Sequence, residues 1–96
     1  MISVGPRLPS PEPIGKYLAV QKHPADPGGR TYRWQVLGAR GDVLGWISWF
    51  ARWRQYCFDP RESTTYNNLC LRDLAAFIER VNSEHRAARA ARTTDL

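Results

Sequence analysis

Residues 43–58 read VLGWISWFARWRQYCF, and the way this stretch turns back on itself decides the fold. Positions 46–58 alone hold three Trp, two Phe and one Tyr, six of the 11 aromatic residues in the chain. In extended chain successive side chains point to opposite faces. Alternation therefore puts Gly45, Ile47 and Trp49 on one face of a strand, and Trp46 and Ser48 on the other. The connection ARWR, residues 51–54, is too short for a crossover, so RQYCF returns antiparallel. Tyr56 and Phe58 then share the face of Ile47 and Trp49, opposite Gln55 and Cys57. A chain of 96 residues buries roughly 60% of its unfolded surface, so a few large side chains must carry its core. Ile47, Trp49, Tyr56 and Phe58 are the expected floor of that core, and Trp46 is the ring left over.

Two more strands precede this hairpin. RTYRWQVLGA, from Arg30, sets Tyr32, Trp34 and Val36 on one face and Arg33 and Gln35 on the other, the alternation of a half-buried strand. KYLAVQK, residues 16–22, reads as the first strand; HPADPGGR, 23–30, is a loop and RGD, 40–42, a tight turn. After the hairpin, DPRESTTYNN is a loop with room for a short edge strand at 64–66, and Asn68 is placed to cap a helix. In LCLRDLAAFIERVNSEHRAARAAR, residues Cys70, Leu71, Leu74, Phe77, Ile78 and Val81 form an apolar stripe at helical spacing that stops at Val81. One stripe covers one sheet face. The expectation is an α+β fold, a four-stranded antiparallel meander covered by a single C-terminal helix (β-β-β-β-α). It divides into a Pro-rich extended or disordered arm over 1–15, a single domain over 16–85, and an Arg/Ala-rich fraying helix end and tail over 86–96.

The net charge of +5 comes from 12 Arg and 2 Lys against 9 acids, spread without a block of like charge. Such a chain attracts polyanions or acidic proteins without having a dedicated basic tail. The start lacks the basic and apolar regions of a secretion signal, and no run reaches the roughly 20 apolar residues of a membrane span. The expected location is cytoplasmic. Cys57 and Cys70 make no disulfide framework, and with His23 and His85 they lack the close pairs of a zinc site, so neither metal nor cofactor is assigned. The histidines fall in a proline loop and at a helix end, away from any nucleophile motif. PGG at 27–29 lacks the Lys and Ser or Thr of a phosphate loop. No catalytic residue is assigned.

The succession Gly45-x-Ile47-x-Trp49, Trp53-Arg54-x-Tyr56-x-Phe58-x-Pro60, Asn67, then Cys70-Leu71-x-Asp73-Leu74-x-x-Phe77-Ile78 resembles a set of small uncharacterised proteins of phages, prophages and other mobile elements. The resemblance spans roughly residues 16–82 and implies a genomic setting. It supplies no activity and no catalytic residue.

Outside the inferred core, ring and charge combine at Trp46, Arg33, Arg40 and Gln35, with Trp53 and Arg54 in the hairpin connection. These six residues are the candidate contact set. Two functions fit them. One is a non-catalytic binding protein that blocks a host defence protein or sequesters a nucleotide signal, its base on Trp and its phosphates on Arg. The other is a single-stranded nucleic-acid-binding protein that stacks bases on a sheet-face Trp. An exposed Trp also fits homo-oligomerisation.

Overall fold

The structure, a computed structural model, describes residues 10–25 and 28–94. The elements run β1 (Glu12–Pro13), β2 (Ala19–Pro24), β3 (Tyr32–Leu37), β4 (Val43–Phe50), β5 (Gln55–Pro60) and α1 (Asn68–Thr94). The strands form one antiparallel sheet in chain order, so the architecture is α+β with a C-terminal helix, as expected, but with five strands. The added strand comes from the Pro-rich arm, where Glu12 pairs with Val20 and Pro13 with Ala19. Ile14 N donates to Leu18 O at 3.0 Å and closes that turn. Prolines are tolerated here because an edge strand has one side without a ladder partner. The rest of the expected arm, 1–9, and the last two residues of the tail lie outside the described residues.

Three local expectations change. The strand expected at 16–22 runs from Ala19 to Pro24, which places His23 in β2, paired with Arg33, rather than in a loop. No strand forms at 64–66. There Ser63 takes φ 61°, Thr64 Oγ1 donates to Arg61 O at 2.8 Å, and Tyr66 Oη donates to Leu44 O at 3.0 Å, pinning a loop to the start of β4. The helix cap is Asn67, one residue earlier than expected: its Oδ1 accepts from Cys70 N at 2.9 Å, satisfying an amide of the first turn.

The hairpin reading holds residue by residue. Trp49 pairs with Tyr56, Ile47 with Phe58 and Ser48 with Cys57 across β4 and β5. Gly45 has no room for a side chain: a Cβ there would lie 2.5 Å from Asp59 O and 2.9 Å from the Phe58 ring. The turn before β4 uses Gly41 at φ 82°, a conformation glycine adopts without strain.

The helix lies on the face defined by Val20, Trp34, Val36, Ile47 and Tyr56, and contributes Cys70, Leu74, Phe77 and Val81. Each fully buried aliphatic side chain stabilises by about 1.5–3 kcal/mol. Trp34 is the hub, with its ring in edge contact with Tyr56 at 5.2 Å and Phe77 at 5.3 Å. Trp49 and Phe58 pack at the margin of the core. Cys70 is buried beneath the helix and Cys57 lies on the far face; both are free thiols. Glu12 on β1 and Arg80 on α1 form a two-point ion pair at 2.8 and 3.1 Å that ties the arm to the helix. The Arg80 guanidinium holds the Glu12 carboxyl below its ordinary range, chiefly through that hydrogen bond.

Candidate functional site

Among the described residues, no element crosses the sheet face opposite α1. The register fixes what that face presents. One row across the strands is Gln21, Gln35, Trp46 and Asp59; the next is His23, Arg33, Ser48 and Cys57. Phe50 and Gln55 follow toward the β4–β5 turn.

Trp46 is the centre of this face. The Arg33 guanidinium carbon sits 4.3 Å from the Trp46 ring centroid, a cation–π contact, and the His23 ring lies 5.4 Å away at a tilt of 56°. His23 Nε2 is 3.4 Å from Gln35 Oε1, so the tautomer with a proton on Nε2 donates to the amide oxygen. Arg33, Gln35 and Trp46 are thus brought together as the sequence suggested, and His23 joins them. The signal for His23 is its place in the alternation of β2, hidden by the proline and glycines that follow it.

The other three candidates are dispersed. Arg40 is exposed in the β3–β4 turn, while Trp53 and Arg54 sit at the opposite end of β4 in the β4–β5 turn. Trp53 is 63% exposed and meets the 40% exposed Phe50 edge-on at 4.9 Å. Arg54 takes φ 54°, the left-handed conformation that closes this turn. Together with Ser48 and Cys57 the two rings border a shallow groove of about 200 Å³. Burial pushes the Cys57 thiol above its ordinary pKa, so it is a poor nucleophile at neutral pH. Beside Trp46, at the β4–β5 edge, a hollow of about 480 Å³ is bordered by Gly45, Asp59, Pro60 and Arg61.

A different concavity lies on the helix side. The stripe of α1 continues past Val81 as His85, Ala88 and Arg92, at spacings of four, three and four. Ala88 falls where a large apolar residue would complete the packing. The resulting cleft, about 360 Å³, is bordered by β2, the β2–β3 loop, Tyr32, Trp34, Tyr56 and the end of α1. Lys22, Arg30 and Arg92 enter from three separate elements, with Glu84 the one acid among the lining residues. Lys22 Nζ stands 4.0 Å over the Tyr32 ring. His85 packs on Trp49 at 4.4 Å; burial, aided by Arg92 and Arg89, holds its pKa below the ordinary value. Three cations from positions 22, 30 and 92 carry no local sequence signal, and only the fold assembles them.

The residues weighed as metal ligands are divided between the faces, with His23 and Cys57 on the open one and His85 and Cys70 on the helix side. Among the described residues no helix is long and apolar enough to cross a membrane. Neither protein-family models, nor curated proteins, nor solved structures give a match to this chain.

Proposed function

We propose that this protein works by binding: its open sheet face docks on a host protein and blocks it, in the phage or mobile-element setting that the sequence resemblance implies. The observation that carries this reading is the state of Trp46, whose ring is already held by Arg33 at 4.3 Å with His23 beside it. A guanidinium over the ring favours one arrangement of the pair, which lowers the entropy cost of association. Trp, Tyr and Arg are the residues that dominate protein–protein hot spots. Exposed Phe50 extends the patch along β4, and exposed Trp53 meets it from the β4–β5 turn.

The same geometry weighs against base stacking. Arg33 covers the ring that a base would need, and Asp59, paired with Trp46 in the register, puts a carboxylate where a phosphate would approach. A partner with an apolar centre and a carboxylate to meet Arg33 suits the surface better than a single strand does. A photo-crosslinking side chain at Ser48, with expression in a bacterial host, tests the reading. The expected adduct is with one protein; a predominant nucleic-acid adduct would favour the strand-binding alternative.

A further inference from the structure

We propose that the cleft between the end of α1 and strands β2 and β3 is a binding site for a nucleoside phosphate, separate from the sheet-face docking surface. The charge balance comes first. Among the described lining residues, Lys22, Arg30 and Arg92 converge on one concavity from a strand, a loop and a helix, with Glu84, which lies 3.7 Å from Arg80, the one acid beside them. Among the described residues none of the three cations has an ion-pair partner. Arg92 has an ordinary explanation at the negative end of the helix dipole. Lys22 rests over the Tyr32 ring at 4.0 Å and its charge helps to lower the Glu12 pKa, whereas Arg30 belongs to the β2–β3 loop and has no such contact among the described residues.

Size and wall chemistry then choose the ligand class. A volume of about 360 Å³ is within the range of small-molecule sites and far exceeds what a lone phosphate fills. The lining also includes the ring of Tyr32, one side of which is occupied by Lys22. The ring of His85 also lines the cleft, so a planar base has ring surface beside the covered Tyr32, and phosphates have two guanidinium forks able to bind them bidentately. Ala88 keeps the volume open, because a longer side chain at that helix position would project into it. Lys22 and Arg30 lie eight residues apart on either side of the β2–β3 connection, and the helix end brings Arg92 to them from 62 residues further along the chain.

The test is an amide-resolved NMR titration of the full chain with ATP at physiological ionic strength. Tripolyphosphate and adenosine serve as separate probes. ATP is expected to saturate with shifts centred on Lys22, Arg30, Ala88 and Arg92, and to bind more tightly than either probe. Arg30→Glu should weaken ATP binding roughly tenfold or more, the loss expected when a charge-assisted contact is removed. Ala88→Leu should abolish it with the amide spectrum still that of a folded chain. Arg72→Glu, the same charge change on the exposed surface of α1, should leave it unaltered. Shifts that never saturate, shifts centred on Trp46, or equal losses in Arg30→Glu and Arg72→Glu would each overturn the site. Tripolyphosphate binding as tightly as ATP would remove the nucleoside from the assignment. Loss of ATP binding in Arg30→Glu or Ala88→Leu leaves the Trp46 face untouched, so the two readings fail separately.

Discussion

Tyr56 N donates to Asn82 Oδ1 at 2.7 Å, joining the edge strand β5 directly to the middle of α1. Asn82 is buried, and the Tyr56 hydroxyl at the other end of the side chain accepts from Tyr32 N at 3.2 Å. One residue thus links β5, β3 and the helix. Replacing Asn82 with Leu leaves a buried N–H without its acceptor and should cost about 1–3 kcal/mol. Urea denaturation would read this as a lower midpoint at an unchanged slope; a midpoint equal to wild type would show that the amide is satisfied elsewhere.

Ring substitutions should separate core from surface. Trp34→Ala removes the hub between Tyr56 and Phe77 and should destabilise by about 3–5 kcal/mol, a large part of a small domain's stability. Trp49→Ala and Phe58→Ala, at the core margin, should cost less than Trp34→Ala. Trp46→Ala should be the mildest of the four. The order is checked by thermal unfolding, and a Trp46 variant less stable than the Trp34 variant would contradict the assignment of faces.

The two hairpin strands, both faces of the sheet and most of the helix stripe were legible because alternation and helical periodicity are local properties of residues such as Ile47, Tyr56 and Leu74; Leu71, expected in the stripe, is 53% exposed. The arm strand was not. Pro13 reads as a strand breaker, and it is accommodated only because β2 offers an edge. Asn67 and Asn68 are equivalent as cap candidates in sequence, and only the geometry selects Asn67. Of the candidate surface, Arg33, Gln35 and Trp46 followed from alternation, whereas Arg40 and Arg54 were proximal in sequence but diverge at opposite ends of β4. The cleft was invisible because its lining depends on where the helix end crosses the sheet.

Stability should fall as pH drops from about 7.5 to 5, with His85 as a source. Its folded pKa is depressed below the ordinary 6.5, first by burial and then by Arg92 and Arg89. The unfolded chain therefore binds the proton more readily than the fold does. The contribution is full above 6.5 and is lost as pH falls through the folded value. The Glu12–Arg80 pair acts in a different window: Glu12 is depressed below 4.5, so its contribution is full above that value and fades only beneath it. His85→Gln should flatten the profile between pH 7.5 and 5 while leaving the steeper fall below 4.5; an unchanged profile would mean His85 is not responsible.

The two cysteines should remain thiols. Cys57 and Cys70 are on opposite faces of the sheet, which no disulfide can span without moving the backbone. Under native conditions iodoacetamide should modify Cys57 slowly and Cys70 only on unfolding. An intact mass matching an internal disulfide would contradict the facing of these strands.

On the proposed reading, the sheet face around Trp46 and Arg33 docks on a protein. Quantitative affinity capture from a nuclease-treated bacterial lysate tests it most directly, with wild type, Trp46→Ala, Arg33→Glu and the Arg72→Glu charge control as parallel baits. One protein should be recovered near stoichiometry by wild type and by Arg72→Glu, and lost with both face variants although they stay folded. Recovery that is unaffected by Trp46→Ala and Arg33→Glu, or no protein recovered from the nuclease-treated lysate, would contradict it.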